Sequence, residues 1–439
     1  MAQSLPRTLT QTDLVLLLVG TVIGSGIFLV PGSVLQNSGG HVGLALIVWF
    51  LGGVLSLLGA LTYGELGAMN PQAGGLYVYI RDAFGRLPAF LYGWALFFVI
   101  SSGSLATLAV AFTSYLTQFI TLAPGTSRLV SILVIIVIAA VNIIGTRKSA
   151  NMQNVTTAVK VGALLAMSAA LIAMGHGLSG VSEQPWPDVT SGSVLAGLGI
   201  ATIGVLWAYE GWQYVTFSAG EAIDAQKTFP RALMIGTAAL IGLYLIPNIA
   251  YVAALGPEAV AGSNRVASEA VSALMGSGAG MLIAGAILVS IFSAANGLTM
   301  TAPRVYFAMA NDRVFFGRLA VVHPRFGTPA FAIAASSAWA IVLAATGTFE
   351  QLLTYVVFAG WIFYALGAMS IFVYRRRRPQ QPRPFSVPGY PVTPVLFVLA
   401  AAAIVLNTIV TQPGRAAVGI AVVLAGVPAY WIWKNGDGS

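Results

Sequence analysis

Charged side chains are scarce in this sequence. Asp, Glu, Lys and Arg make up 8% of its 439 residues, against roughly 25% in an ordinary soluble domain. The 13 acids and 21 bases cannot cover the surface of a water-soluble chain of this length. That excludes a disordered polymer, a nucleic-acid module and a soluble enzyme. Cysteine is absent, so these residues form no disulfide and no thiolate metal site. The three histidines (His41, His176 and His323) are scattered and make no metal-ligand or catalytic spacing, so neither a metal nor a cofactor is expected. Low-complexity linkers are missing too. No run alternates apolar and polar residues over the roughly 10-residue segments of a membrane β-barrel.

Apolar sequence fills the chain instead: 57% of residues are hydrophobic and the mean hydropathy is +0.86. Runs near the roughly 20 residues that cross a bilayer recur along nearly the whole length. They predict an all-α polytopic membrane protein with 12 transmembrane helices joined by short loops, in one membrane domain over residues 1–439. The first run follows a short polar start and has no small-residue cleavage site behind it, so it is expected to stay as a span. Asp13 precedes it as a helix cap.

The net charge of +8 reads as a topology signal rather than as nucleic-acid affinity. With twelve spans and a cytoplasmic N-terminus, 17 of the 21 Lys and Arg residues fall inside and three (Arg128, Arg265 and Arg415) outside. Lys160 lies within a span. This positive-inside bias supports twelve spans and two cytoplasmic termini in a cell membrane, with the bacterial inner membrane the best match. The run Arg375–Arg378 reads as an anchor for span 10, with anionic lipid head groups as the alternative partner. Glu65, near the cytoplasmic end of span 2, is expected to make a structural contact.

Two spans are interrupted. The first carries Gly24-Ser25-Gly26 near its middle, and the sixth carries Glu210-Gly211 flanked by Trp207, Tyr209 and Trp212. Close helix packing through small residues is one explanation of the first. The second is harder to dismiss, because a carboxylate at membrane depth must be paired, hydrated or protonated. Interrupted spans five apart, hence in opposite orientation, point to a secondary transporter built from inverted halves with a site at the midplane. An unwound helix exposes N–H groups at one side of the break and C=O groups at the other. The first suits a carboxylate and the second an ammonium, so two adjacent breaks fit an α-amino acid.

Five stretches together carry a family resemblance: Gly24-Ser-Gly-Ile-Phe28; Tyr63-Gly-Glu-Leu-Gly67 with Gly74-Gly-Leu-Tyr-Val-Tyr79; Lys160; Trp207-Ala-Tyr-Glu-Gly-Trp212 with Phe229-Pro-Arg231; and Arg304-Val-Tyr-Phe-Ala-Met-Ala-Asn-Asp312. Over roughly residues 10–435 the chain resembles the amino acid–polyamine–organocation (APC) superfamily, and within it the bacterial relatives of the L-type amino acid transporters (LAT-like permeases). The resemblance implies a LeuT-type fold with inverted 5+5 repeats and two extra helices: a first repeat over 1–175, a second over 191–374, and spans 11 and 12 over 391–434. It implies that Gly24, Ser25 and Gly26 bind the substrate carboxylate through backbone N–H groups. Carbonyls near Ile23, Trp207, Ala208 and Glu210 would take the ammonium, with Gly211 at the same break and Trp207 as an aromatic gate. Relatives that pair with a heavy subunit use a cysteine between spans 3 and 4; its absence here implies no disulfide-linked partner. Glu210 stands where animal relatives often carry a small residue.

Lys160 is the one cation well inside a span. Snorkelling to the cytoplasmic end is one way to keep it solvated. The resemblance implies another: its ammonium replaces a bound sodium ion between spans 1 and 8. It would cross-link the carbonyls of the first break to Ser293 or Asn296, with Tyr244 joining the network. Transport would then be sodium-independent, and the expected activity is exchange of neutral L-amino acids. Proton-coupled symport and a cationic amino acid or polyamine carrier remain as alternatives, as does a channel or sensor without turnover. A membrane-embedded enzyme would need a polar catalytic cluster that the sequence does not contain.

Overall fold

The computed structural model describes residues 5–180, 192–347 and 349–435; residue 191, where the second repeat is expected to begin, lies outside them. The described residues are helical nearly throughout, and their one extended pairing is an isolated parallel bridge between Leu9 and Ala222. In chain order the helices are α1 (Gln11–Val22), α2 (Gly26–Asn37), α3 (Val42–Met69), α4 (Leu76–Phe84), α5 (Arg86–Ala95), α6 (Ser101–Leu116), α7 (Pro124–Ile144), α8 (Thr146–Met174) and α9 (Gly192–Ala208). There follow α10 (Ala225–Leu255), α11 (Pro257–Gly262), α12 (Val266–Met275), α13 (Ser277–Thr301), α14 (Pro303–Asn311), α15 (Ala330–Thr346), α16 (Phe349–Arg377), α17 (Val392–Thr411) and α18 (Pro413–Asn435). A π-helical turn, Leu96–Ile100, joins α5 to α6.

Among the described residues nine helices are long and apolar enough to cross a membrane, and the α1–α2 pair, bent by 47°, makes a tenth. The chain is therefore a multi-pass helical membrane protein. α9 and α15, at 17 residues each, fall just short of that length. Ten of the twelve expected spans reappear with their ends displaced, and the segment after α10, read as loop, folds into α11 and α12. α3 and α10 lie along each other, while α1 packs against α8, α10 and α13. α1 therefore sits at the centre of the bundle, with its break buried on every side.

One end of the bundle gathers the arginines. Thr10 caps α1, and Asp13, three residues on, completes a capping box rather than being the cap itself. The Asp13 carboxylate also accepts from Arg147 at 2.8 Å. Glu65 is fully buried and accepts a two-pronged bond from Arg375, at 2.8 and 2.6 Å, plus the Val387 N–H at 2.7 Å. Arg377 donates to the Ala83 carbonyl and Arg378 to Asp82. Three members of the arginine run are thus committed to the protein, which leaves little of it as a free lipid anchor. On α4, burial and the nearby Asp312 carboxylate push the Tyr77 hydroxyl well above its ordinary pKa. It stays protonated and donates to Asp312 at 2.8 Å, tying α4 to the end of α14.

Candidate functional site

The first break follows from crowding. Helix α1 ends at Val22; Ile23 is extended (φ −72°, ψ 92°), and α2 restarts at Gly26. A Cβ on Gly26 would lie 2.6 Å from the Cα of Ala208, and one on Gly24 would lie 3.1 Å from the side chains of Ala294 and Leu108. These glycines serve close approach; unlike Gly211, neither has a positive φ. The N–H groups of Gly24, Ser25 and Gly26 have no acceptor among the described residues, the usual state of the first turn of a helix.

The second break needs its glycine for backbone shape. Helix α9 ends at Ala208, and Gly211 adopts φ 123° before a 3-10 helix over Trp212–Glu221. Between them the Glu210 N–H bonds the Trp207 carbonyl at 3.0 Å. The Glu210 carboxylate is buried, and its Oε1 accepts from Gln213 Nε2 at 2.6 Å, from the Tyr214 hydroxyl at 3.1 Å and from the Tyr364 hydroxyl. No cation pairs with it among the described residues.

Lys160 does not snorkel. It is buried in α8, and its Nζ donates to the carbonyls of Gly20 and Ile23 at 2.6 Å each, with the Ser290 carbonyl at 3.4 Å. The Ser290 hydroxyl donates to the carbonyls of Ile23 at 3.2 Å and Gly24 at 3.3 Å. This arrangement corrects the expected partners. Ser293 lies three residues further along α13, about 4.5 Å down the axis, and bonds Thr156 at 2.9 Å instead. Asn296, one more turn away, accepts from Asn142 at 2.8 Å and donates to Gln153 at 2.9 Å. Ser290 is the residue that sequence reasoning missed. The Tyr244 hydroxyl lies between the carbonyls of Val22 at 3.0 Å and Ala208 at 2.7 Å. It therefore links the two breaks to each other and does not bond Lys160.

These bonds change which carbonyls are open to a ligand. Both lone pairs of Ile23 are engaged, by Lys160 and Ser290, so Ile23 is displaced as an ammonium acceptor. The Trp207 carbonyl accepts the Glu210 N–H, and the Ala208 carbonyl accepts the Tyr244 hydroxyl. The carbonyls of Thr21 and Glu210 accept none among the described residues. The sequence also carried an unread signal: Thr146, Ser149, Gln153, Thr157 and Lys160 repeat at helical spacing and form one buried polar face of α8.

The two breaks enclose a central cavity lined by Gly24, Ser25, Gly26, Trp207 and Glu210, with Thr21 and Val22 from α1, Ser104 and Leu108 from α6, Tyr214, and Ala294 and Leu298 from α13. About 30 Å³ of it is open to the centre of a water molecule, so the site is nearly closed. A larger cleft of about 730 Å³ lies at the arginine-rich end, beside Arg7, Gln72, Arg81 and Asp312, away from both breaks. Among the described residues no group of three or more acidic or histidine side chains could hold a metal. The central site offers unpaired N–H groups on one side and open carbonyls on the other.

A multi-pass helical membrane protein whose two interrupted helices meet at a buried cavity is the class these observations define. The chain belongs to the amino acid permease family, whose profile matches residues 9–431. It is 32% identical to the serine/threonine exchanger SteT of Bacillus subtilis over 422 residues, 95% of each chain. It is 32% identical to the mouse large neutral amino acids transporter small subunit 2, covering 95% of this chain and 80% of that one. The human cystine/glutamate transporter is 31% identical over 98% of this chain and 85% of its own. Family and relatives are transporters.

Proposed function

We propose that this protein is a sodium-independent secondary transporter that exchanges neutral L-amino acids across the cell membrane by alternating access. The observation that carries the reading is the Lys160 ammonium, held at 2.6 Å from the Gly20 and Ile23 carbonyls at the end of α1. A charge fixed to the chain satisfies carbonyls that a mobile cation would otherwise have to satisfy, so no ion need enter or leave with the substrate. The relatives named as an exchanger and as amino acid transporters favour the same activity.

In this reading the α1–α2 pair, α9 and α15 each complete a span, which brings the total to twelve. Residues 1–175 and 191–374 form the inverted halves of a LeuT-type fold, 391–434 adds two helices, and the arginine-rich end with both termini is cytoplasmic. The substrate carboxylate rests on the N–H groups of Gly24, Ser25 and Gly26. Its ammonium rests on the carbonyls of Thr21 and Glu210, with those of Trp207 and Ala208 beside them. Trp207 gates the cavity, and closure around the substrate strengthens each of these bonds by excluding water. The protein works without a cofactor, catalyses no covalent step and has no disulfide-linked subunit.

Uptake of labelled amino acids into proteoliposomes tests this. Uptake is expected only into vesicles preloaded with unlabelled amino acid, at equal rates in sodium and choline buffers. Strict sodium dependence would remove the role given to Lys160. Uptake into empty vesicles that rises with an inward proton gradient would replace exchange by symport.

A further inference from the structure

We propose that a groove on the flank of the helix bundle is a phospholipid site, with one acyl chain in the groove and the lipid phosphate on Arg415. The groove holds about 340 Å³, against about 30 Å³ in the central cavity, and lies among α5, α6, α15, α16 and α18. Trp94, Phe98, Trp339 and Leu352 are in its wall, and α18 contributes Val418, Gly419, Val422 and Ala425. Val418 is 48% exposed and Ala425 is exposed too. The groove therefore opens sideways, on the surface that a membrane covers.

Its wall suits hydrocarbon and little else. The indole N–H of Trp94 donates to the Val422 carbonyl at 2.9 Å, and that of Trp339 to the Phe98 carbonyl at 2.9 Å. Both tryptophans keep their polar atom for the protein and leave carbon to the groove. The one hydroxyl in the lining belongs to Tyr355. An amino acid seated here would have its ammonium and carboxylate unpaired, whereas an acyl chain needs no partner.

Depth and charge identify the rest of the ligand. Arg415, Val418, Gly419, Val422 and Ala425 recur at three-and-four spacing, on one face of α18. From Arg415 to Ala425 that helix rises about 15 Å, half of a hydrocarbon core about 30 Å thick. Arg415 Nη1 donates to Thr354 Oγ1 at 3.0 Å and to Gln412 Oε1 at 2.9 Å. No carboxylate pairs with this guanidinium among the described residues. Along α16, Thr354 and Arg375 are about 30 Å apart, so Arg415 lies at the membrane surface opposite the arginine-rich end. Tyr355, beside Thr354, puts the one hydroxyl of the lining at this same end. A cation at the surface above an apolar groove one leaflet deep matches a phosphate above its acyl chain. The seated chain fills the space between α6 and α16, which carry Leu108 and Tyr364 to the central site.

The test is native mass spectrometry of the detergent-purified protein, with thermal unfolding alongside, on titration with dioleoyl phosphatidylglycerol. One retained adduct and a saturable rise of several degrees in melting temperature are expected. Dioleoylglycerol lacks the phosphate, glycerophosphoglycerol lacks the chains, and oleate offers a carboxylate instead; each should bind roughly tenfold more weakly or worse. Arg415→Gln should weaken phospholipid binding by about tenfold or more, the worth of a hydrogen bond from a charged group. Ala425→Trp fills the groove from its exposed side and should remove the adduct. Val418→Trp blocks the groove nearer Arg415 and replaces that variant if it does not fold. Equal lipid affinity in wild type and a blocked variant overturns the proposal, because the lipid then binds elsewhere. So does dioleoylglycerol or oleate binding as tightly as the phospholipid, or a wild-type protein with neither a retained lipid nor a thermal shift.

Discussion

The two helix breaks solve the same problem with opposite charges. At the first, between α1 and α2, the carbonyls of the terminating helix carry partial negative charge and are satisfied from outside, by Lys160 on α8, Ser290 on α13 and Tyr244 on α10. At the second, after α9, the charge is the Glu210 carboxylate, and neutral donors satisfy it: Gln213 and Tyr214 from its own next turn and Tyr364 from α16. The first break is pinned to three neighbouring helices by one cation and two hydroxyls. The second is held largely by donors from its own next turn. In an alternating-access cycle the pinned break would be the reference and the second the moving part, which is also the one that carries Trp207.

The largest expected effect comes from removing the pin. Lys160→Met keeps the length of the side chain but leaves the Gly20 carbonyl unpaired and the Ile23 carbonyl with only the Ser290 hydroxyl, in a dry environment. A hydrogen bond from a charged group contributes about 1.5–3 kcal/mol, so the variant should lose several degrees of thermal stability in detergent and at least a hundredfold in exchange. Lys160→Arg should not restore activity, because a planar guanidinium cannot replace a compact ammonium between carbonyls only 2.6 Å from its nitrogen. Retention of exchange by Lys160→Met would dissolve the contrast between the breaks.

Next come the glycines, whose reasons differ. In Gly26→Ala the new Cβ would sit 2.6 Å from the Ala208 backbone, so α2 must move away from α9. Overpacking of this kind costs about 1–3 kcal/mol and should pull the two breaks out of register with each other. In Gly211→Ala the nearest atom is 3.1 Å away but φ is 123°, and a side chain there costs about 1–2 kcal/mol of backbone strain. Counterflow and thermal unfolding should show Gly26→Ala as the more damaging, with transport lost beyond what stability explains. The reverse order would mean that the shape of the second break matters more than the approach of the two.

The difference between the breaks also explains what could be read from the sequence. Gly24-Ser25-Gly26, Glu210-Gly211 and Lys160 are local anomalies in apolar helices, each visible without knowledge of its neighbours. Partner choice is not local. Ser290, Ser293 and Asn296 share one helix, and which of them meets Lys160 depends on how far α13 slides along α8, about 1.5 Å per residue. Ser290, one turn before Ser293, is the one at the Lys160 site. Tyr364 lies 154 residues from Glu210 and left no trace near it. Asp13 stood one turn from the cap for a simpler reason: Thr10 was available three residues earlier, and the acid serves better at the third position. The polar face of α8 is legible as a three-and-four spacing of Thr146, Ser149, Gln153, Thr157 and Lys160. Ser104 sits in Ser101-Ser-Gly-Ser104, where nothing in the sequence sets one serine apart.

The smallest expected effect falls on the residue that joins the two breaks. Tyr244 shares one hydroxyl proton between two carbonyls, Val22 at 3.0 Å and Ala208 at 2.7 Å, and its ring stacks edge-on against Trp49 and Tyr209. Tyr244→Phe keeps the ring and removes only the oxygen. The loss is about 1 kcal/mol for the hydrogen bonding, a few degrees in melting temperature, because the packing against Trp49 and Tyr209 survives. If the second break moves relative to the first, a bond that spans them must break in each cycle, and its removal lowers that barrier as well as the stability. Exchange should then fall by less than the stability loss predicts, or rise. Lys160→Met, which loosens one break without touching the other, should show no such compensation. A Tyr244→Phe variant that loses exchange as completely as Lys160→Met would mean that the breaks move together, with Tyr244 as part of the pin.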